Sequence, residues 1–361
     1  MKHNCNKLVG ALLLLFLTLP SLAQTRYTSA TDLTLIGKHS QVESKFHRID
    51  TEKYPNFSAT IRRLFTNSAG LAVLFKTNAS SISVKWSVAP NKVSGNNTGI
   101  NHSGVDLYIK KEKNWYFAGS GVPQGFSSTR TVVNHMEEGV KECMLYLPTY
   151  NELLSLEIGV PEEAYLEPLP NPFPKKVLVY GSSITQGASA SRPGMAYLSR
   201  LSRNMNIEFY NLGLSGNGKM EPEVADMVAQ MAKETDAVIL DCAANPSPEL
   251  ITERTNYIVK KVREENPTLP IVMIQSVYRE GGLFDTKIRE RVANQNKNFE
   301  AEYLRLKREG VKNLYLIRAD RFLGFDHEGT VDGTHPNDLG FDRMIKVIEP
   351  QLKKIFKKAW R

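Results

Sequence analysis

Cysteine is scarce in this sequence. Its 361 residues include three cysteines, Cys5, Cys143 and Cys242, and the first of them lies ahead of an apolar run near the N-terminus. The other two fall in segments with different hydrophobic periodicity, so we do not expect a structural disulfide. Apolar cores must therefore hold the fold together, and the length of the chain suggests about two domains.

Long apolar runs are also rare. One run covers residues 8–19, after a basic start with Lys2 and Lys7, and it is followed by Ser21-Leu22-Ala23. This pattern is typical of a secretory signal peptide, here residues 1–23. The alternative, an uncleaved anchor, is disfavoured because about 20 apolar residues are needed to span a bilayer. We expect export to the periplasm or outside the cell, with no stable membrane anchor after cleavage.

Clusters of basic residues are missing as well. The net charge is +8, but the lysines and arginines are scattered along the chain, so we expect no nucleic-acid partner. Acidic residues and histidines do crowd the segment from Asp326 to His335, where a metal site is the alternative interpretation. Their spacing matches no motif such as His-Glu-x-x-His, and we expect neither a metal nor a cofactor.

Apolar and polar residues alternate in residues 24–166. The stretches 82–88 and 154–160 place every second side chain on an apolar face, which is typical of strands with one buried side. Several such stretches, separated by Gly, Asn, Ser and Pro, predict an antiparallel, jelly-roll-like β-sandwich. Trp86 lies on the apolar side of its strand and is expected in the core, whereas Trp115 is the better candidate for stacking on a sugar.

Prolines mark a boundary after this region. Pro168, Pro170, Pro172 and Pro174 follow one another at every second position, a spacing that blocks both a helix and a central strand. We expect residues 167–175 to be a stiff linker between two domains.

Residues 176–361 have a third pattern, in which short apolar runs alternate with longer amphipathic stretches. The runs start about 30 to 40 residues apart, as in βαβ units, and residues 224–231 have an apolar stripe of helical period. The pattern predicts an α/β domain with a parallel sheet covered by helices on both faces. Its predicted strands are Val177–Tyr180, Ile207–Asn211, Ala237–Asp241, Ile271–Gln275 and Leu314–Ile317.

Ligands of such sheets gather at the carboxyl ends of the strands. The residues that follow the predicted strands are therefore the candidates for chemistry. Four segments there are rich in Gly, Ser, Asn, Asp or His: Gly181-Ser182-Ser183-Ile184-Thr185-Gln186-Gly187, Asn211-Leu212-Gly213-Leu214-Ser215-Gly216-Asn217-Gly218, Cys242-Ala243-Ala244-Asn245-Pro246 and Val331-Asp332-Gly333-Thr334-His335-Pro336.

These four segments, in this order, resemble the Ser, Gly, Asn and His blocks of the SGNH, or GDSL-like, hydrolases. The resemblance covers Lys175 to the C-terminus and implies a five-stranded, flavodoxin-like hydrolase domain. It is closest to an exported bacterial branch in which a sandwich named for a Gly-x-Asp-Leu-Tyr string precedes the hydrolase. Gly104-Val105-Asp106-Leu107-Tyr108 supplies that string.

The resemblance implies a role for five residues. Ser183 falls at the position of the nucleophile, His335 at that of the general base and Asp332 at that of the acid that orients the histidine. A serine hydroxyl needs such a base, and a histidine serves near neutral pH. The oxyanion hole would consist of the backbone N–H groups of Ser183 and Gly216 and the side-chain amide of Asn245.

The blocks depart from the family pattern at several positions. The common Gly-Asp-Ser string has Ser182 in place of the aspartate, which leaves Ser182 as an alternative nucleophile. The usual Gly-x-Asn-Asp string has Ala243 and Pro246 in place of its first and last residues. Two simpler interpretations remain open: Ser183 caps the following helix, and Asn245 is a turn residue.

The resemblance implies a serine esterase, and the export signal favours an acetyl or other short acyl group on an oligosaccharide or polysaccharide. One alternative is a lipid or thioester hydrolase similar to lysophospholipases. Another is a non-catalytic carbohydrate-binding protein. The sandwich binds glycan, forms a wall of the cleft or supports a dimer, and the sequence does not choose among these.

Overall fold

The structure is a computed structural model that describes residues 24–40 and 42–360. The expected signal peptide lies outside the described residues. In the described part of the chain, none of the helices has an apolar stretch long enough to cross a membrane.

The N-terminal half is an antiparallel sandwich, as predicted. The elements are β1 (Thr25–Ser29), β2 (Thr34–Ile36), α1 (Ala59–Phe65), β3 (Ala72–Thr77), β4 (Ile82–Val88), α2 (Gly99–Ser103), β5 (Val105–Lys111), β6 (Asn114–Gly121), β7 (Ser127–Val133), β8 (Lys141–Tyr146), β9 (Leu153–Pro161) and β10 (Leu166–Pro168). One sheet has the strand order β1-β9-β4-β7, and the other has the order β10-β3-β8-β5-β6, with β2 beside β3. The alternating side chains of the sequence fill the space between the sheets, where Trp86 is 1% exposed.

The proline-rich segment is more ordered than a free linker. Its first residues form β10, which pairs with β3 at the edge of a sheet, where Pro168 is tolerated because an edge strand does not need every N–H. Farther along, Phe173 is buried against the outer face of the same sheet. The segment therefore packs on the sandwich along part of its length.

The C-terminal half contains the predicted five-stranded parallel sheet. The elements are β11 (Lys176–Gly181), α3 (Ser183–Gln186), α4 (Tyr197–Met205), β12 (Glu208–Gly213), α5 (Pro222–Met231), β13 (Ala237–Asp241), α6 (Pro248–Glu265), β14 (Ile271–Ile274), α7 (Thr286–Arg308), β15 (Leu314–Ile317) and α8 (Asp338–Ala359). The strand order is β12-β11-β13-β14-β15, which is the flavodoxin-like order. Helices α5, α6 and α7 cover one face of the sheet, and α4 and α8 cover the other.

The segment between β2 and β3 leaves the sandwich and packs on the parallel sheet of the C-terminal half. Its apolar side chains, including those of Val42, Ile49 and Phe65, belong to the same core as Tyr180 of β11 and Leu212 of β12. The two halves therefore share a core. The sequence pattern did not predict this exchange, because the apolar face of α1 fits either sheet.

Arg48 of the same segment joins the halves through polar contacts. Its side chain is 1% exposed, and its guanidinium donates hydrogen bonds to the carbonyls of Leu64 and Asn67 on one side and of Asn211 and Gly213 on the other. Because buried donors need acceptors, these contacts fix the end of β12 relative to the N-terminal half.

The Gly-x-Asp-Leu-Tyr string lies at the same boundary. The carboxylate of Asp106 is fully buried, pairs with Arg192 at 2.9 Å and accepts the backbone N–H of Gly194 at 2.9 Å. The hydroxyl of Tyr108 also accepts a hydrogen bond from Arg192. Thus two side chains of the string attach the sandwich to the turn that precedes α4.

Candidate active site

The segment after β11 is a tight strand-to-helix turn. Ser182 caps α3: its hydroxyl accepts the N–H of Ile184, while the hydroxyl of Thr185 accepts the N–H of Ser182. Gly181 is required because a Cβ there would lie 2.0 Å from the Thr185 hydroxyl. Ser182, not Ser183, therefore has the capping role, and Ser183 begins the helix with its side chain free to face the cleft.

Ser183, His335 and Asp332 form one hydrogen-bonded series. Ser183 Oγ lies 2.8 Å from His335 Nε2, and His335 Nδ1 lies 2.7 Å from Asp332 Oδ2. With the proton of the neutral ring on Nδ1, the imidazole donates to Asp332 and accepts from the serine hydroxyl. This arrangement provides a base for the serine proton and a carboxylate that orients the base.

The carboxylate of Asp332 is held in its ionised form. Burial would raise its pKa, but the backbone N–H groups of His335 and Thr334 and the ring of His335 outweigh that effect and keep the pKa below its ordinary value. Both backbone groups donate to Oδ1, at 2.8 and 3.0 Å. The aspartate is therefore charged at neutral pH and can stabilise a protonated His335.

The predicted oxyanion-hole residues line the same cleft. Its volume is about 290 Å³, and Ser183, Gly216, Asn245 and His335 are among its walls. The Ser183 N–H occupies the first position of α3, where backbone N–H groups have no partner within the helix. Gly216 has a φ of +69°, a conformation that favours glycine. Ser183, Gly216 and Asn245, which lie on different loops, thus line one cleft.

The loop that carries Gly216 is attached to β11, the strand that precedes Ser183. The N–H of Leu214 donates to the carbonyl of Gly181 at 2.9 Å. A Cβ at Gly218 would lie 2.1 Å from that same carbonyl oxygen, so the backbones approach too closely for a larger residue.

Asn245 is oriented by its neighbours. One N–H of its side-chain amide donates to the carbonyl of Asn217 at 2.6 Å, which leaves the second N–H for a ligand. The fully buried Gln295 donates to the carbonyls of Ala244 and Pro246, at 3.2 and 2.6 Å. These contacts fix the backbone on both sides of Asn245.

A second carboxylate lies behind the turn at residues 181–187, which carries Ser183. Asp241, at the end of β13, accepts hydrogen bonds from the hydroxyls of Thr185 and Tyr197, each at 2.7 Å. Burial raises the pKa of Asp241 to about 6, although the two hydroxyl groups lower it in part. Asp241 thus supports the turn from below and does not line the cleft.

The crowded acidic segment is organised by ion pairs. Asp326 pairs with Arg343 at 2.6 Å, and Asp332 pairs with His335 at 2.7 Å. Among the described residues, no group of three or more potential ligands is arranged to hold a metal. Trp115 is half-buried on β6, where Lys110 lies over its ring, and it does not line the cleft.

Several residues of the N-terminal half that the sequence did not single out also contact the site. The hydroxyl of Tyr150 donates to the carbonyl of Ser183 at 3.2 Å, and the amide of Asn101 donates to the carbonyl of Gly187 at 2.9 Å. The amide nitrogen of Asn96 lies 3.2 Å from Asp332 Oδ2. None of these residues lies in a motif, so only the three-dimensional arrangement reveals them.

The fold and the cleft define an SGNH-type hydrolase, and the chain belongs to the GDSL-like lipase/acylhydrolase family. The sequence profile of that family matches residues 174–353. A second profile, described as the N-terminus of SGNH-hydrolase-type esterases, matches residues 25–166.

Among solved structures, a GDSL-like lipase from Bacteroides ovatus ATCC 8483 is 52% identical. The similarity covers 92% of this chain and 98% of that one, with a TM-score of 0.91. The salicylyl-acyltransferase SsfX3 of a tetracycline biosynthetic pathway is 18% identical over 92% and 97% of the chains, with a TM-score of 0.73. The acetyl xylan esterase Est2A from Butyrivibrio proteoclasticus is 13% identical over 93% and 100%, with a TM-score of 0.58.

At these low identities, the acyltransferase and the xylan esterase share the fold with this chain. A comparison with curated protein sequences gives no match.

Proposed function

We propose that this hydrolase is a serine esterase that removes short acyl groups, acetyl above all, from carbohydrate esters. The observation that carries the proposal is the hydrogen-bonded series from Ser183 through His335 to Asp332, with 2.8 and 2.7 Å between the joined atoms. We assign these three residues as nucleophile, base and orienting acid, and we assign the N–H groups of Ser183 and Gly216 and the amide of Asn245 as the oxyanion hole.

The first half of the reaction acylates the enzyme. Ser183 Oγ attacks the ester carbonyl while His335 Nε2 takes the hydroxyl proton, and the three donors stabilise the oxyanion. When the tetrahedral intermediate breaks down, the protonated Nε2 gives its proton to the oxygen of the leaving alcohol. The acyl group remains on Ser183 as an ester.

The second half of the reaction releases the acid. A water molecule gives a proton to Nε2 as its oxygen attacks the acyl-enzyme carbonyl, and a second oxyanion forms in the same place. Its breakdown expels Ser183 Oγ, which recovers the proton from Nε2. The proposed steps use these side chains, the three oxyanion donors, the ester and water.

The preference for a carbohydrate acetyl ester is supported by fold neighbours. An acetyl xylan esterase and a family two carbohydrate esterase from Clostridium thermocellum, solved with cellohexaose, share this fold. The cleft is also small: side chains such as Ile184, Ala244 and Val277 surround a volume of about 290 Å³.

A second candidate, hydrolysis of longer acyl esters of lipids or thiols, is favoured by one observation. An apolar cavity of similar size lies beside the cleft, has Leu283, Val292, Leu323 and Phe325 in its walls, and shares Arg279 with the cleft. An acyl chain longer than acetyl would find apolar surface there. The acyl-chain preference of the enzyme therefore separates the two candidates.

The test is a release assay with acetylated oligosaccharides and with esters of increasing acyl length. We expect acetyl esters to be cleaved fastest, Ser183→Ala to abolish hydrolysis, and Ser182→Ala to remain active with a lower melting temperature because a cap is lost. Hydrolysis by Ser183→Ala would overturn the assignment of Ser183 as the nucleophile. A preference for long acyl chains would overturn the proposal that acetyl esters are the substrates.

We further propose that the chain acts after export and cleavage behind Ala23, with a sandwich at 24–166, a linker at 167–175 and a catalytic domain at 176–361. The apolar run after a basic start supports the first point. Mass spectrometry of the cell-envelope and culture fractions tests it, since the mature chain should begin at Gln24.

A further inference from the structure

One loop of the N-terminal half reaches the proposed catalytic residues. This docking loop, residues 94–98 between β4 and α2, lies against the segment that follows residues 181–187, the turn of the proposed nucleophile. Three hydrogen bonds hold it there: Ser189 Oγ donates to the Asn96 carbonyl at 2.7 Å, the Ser189 N–H donates to Asn97 Oδ1 at 3.0 Å, and Thr98 Oγ1 donates to the Ser191 carbonyl at 2.7 Å.

The anchors leave the Asn96 side chain pointing at the acid–base pair. Its amide nitrogen lies 3.2 Å from Asp332 Oδ2 and 3.2 Å from His335 Nδ1. Since Nδ1 already directs its proton at Oδ2, the amide N–H of Asn96 donates to the carboxylate oxygen.

With Asn96 included, each oxygen of the Asp332 carboxylate accepts two donors. Oδ1 accepts the backbone N–H groups of Thr334 and His335, and Oδ2 accepts the imidazole and the Asn96 amide. We propose that Asn96 is a positioning residue for the acid–base pair, so that the sandwich completes the catalytic centre of the other half. The inference rests on the proposed function, since it assigns Asn96 to that same site.

The contact is suited to orientation more than to stability. The Asp332 side chain is 35% exposed, so water can replace the lost hydrogen bond when Asn96 is truncated, and folding should change little. Water does not fix the direction of the carboxylate, however. The imidazole would then lose its alignment with Ser183, and the chemical step would slow while substrate binding stayed the same.

The experiment compares the whole protein with Asn96→Ala and Asn96→Asp, and uses Asn91→Ala as the matched control. Asn91 is an exposed asparagine near the start of the same connection, and its amide makes a long, exposed contact of 3.5 Å with the backbone carbonyl of Tyr150, which water can replace. We expect Asn96→Ala to lower kcat about 10- to 100-fold with KM within about twofold, because hydrogen bonds to charged groups have effects of this size. Asn96→Asp keeps the shape but sets a second carboxylate against Asp332, so kcat should fall further. Asn91→Ala should match the wild type.

The readouts are steady-state hydrolysis of a small chromogenic acetyl ester, the rate at which a fluorophosphonate labels Ser183, and the melting temperature. A wild type that neither hydrolyses nor labels would refute the proposed function itself. An active wild type with unchanged kcat and labelling in Asn96→Ala would refute the positioning role alone. Asn96→Asp at wild-type rates would also refute it, and a fall in melting temperature equal to that of Asn97→Ala would reduce Asn96 to a loop anchor.

Discussion

Two segments meet in one hydrogen bond but are held in different ways: residues 181–187, the turn of the proposed nucleophile (the nucleophile turn), and residues 329–336, the loop of the proposed acid and base (the acid–base loop). In the turn, Ser182 to Gln186 are each at most 6% exposed, and caps and buried partners fix the backbone. In the loop, Val331 is 52% exposed and Asp332 about a third. Core packing therefore sets the serine, whereas a few polar contacts set the histidine.

The comparison gives a rule for substitutions. Changes in the turn remove partners of buried groups, so they should lower stability together with activity. Changes in the loop remove contacts that water can replace, so they should lower activity with little loss of stability. The predictions below test this rule, beginning with the largest expected effect.

His335→Ala should separate rate from stability most clearly. We expect kcat/KM to fall by about 10⁴-fold, because the serine loses its base, while the melting temperature stays within about 2 °C. Steady-state kinetics and thermal unfolding measure the two quantities. His135→Asn, at an exposed position of the sandwich whose φ of +56° asparagine tolerates, is the control and should leave both unchanged. A large loss of stability in His335→Ala would contradict the rule.

Asp241 should make the nucleophile turn sensitive to pH. Its pKa is raised to about 6 in the fold, so between about pH 4 and pH 6 the folded state keeps a proton that the unfolded chain has lost. Asp241 therefore stabilises the fold fully below about pH 4. As the pH rises from about 4 through 6, its contribution to the free energy of unfolding falls by about 3 kcal/mol. Denaturant unfolding of wild type and Asp241→Asn from pH 4 to 7 should show a stability difference that changes by this amount. A constant difference would contradict the prediction.

Thr185→Val should destabilise the turn by about 2 kcal/mol, because it removes a partner of the buried Asp241 and the acceptor for the Ser182 N–H. The same substitution at Thr252, which is exposed on α6, should cost much less. Urea unfolding of both variants makes the comparison. Equal effects would mean that the turn does not depend on its buried hydrogen bonds.

Glu280→Gln should loosen the acid–base loop. The Glu280 carboxylate accepts the N–H of Gly329 at 2.8 Å and the hydroxyl of Thr330. A weaker acceptor should lower kcat about 10-fold and change the free energy of unfolding by less than about 1 kcal/mol. Glu290→Gln, on the exposed side of α7, is the matched control. If stability falls more than activity, the loop resembles the turn after all.

Much of this arrangement could be predicted from the sequence. The sandwich follows from the period-two stretches, and the parallel sheet follows from regularly spaced apolar runs. Most residues of the cleft follow from four short blocks at strand ends, but Ser276, Val277 and Arg279, which follow β14, lie in none of them. These features are local, so a single segment carries the signal for each.

The parts that escaped prediction depend on contacts between distant segments. The apolar residues of α1 indicate that one face is buried but not which sheet covers it. Asn96, in the string Ser94-Gly95-Asn96-Asn97, has the composition of an ordinary turn. Pro168 indicates the end of the sandwich, yet it lies in an edge strand because β3 has a free side there. Such pairings are properties of the tertiary structure.

The shared core has a consequence for biosynthesis. Val42, Ile49 and Phe65 are buried against strands that begin at Lys176 and Glu208, more than a hundred residues later in the chain. While the ribosome works from the N-terminus, these side chains contact neighbours of their own segment, such as Phe57, but lack the sheet that buries them until both strands have emerged. The first half therefore exposes part of its apolar surface until the second half is synthesised.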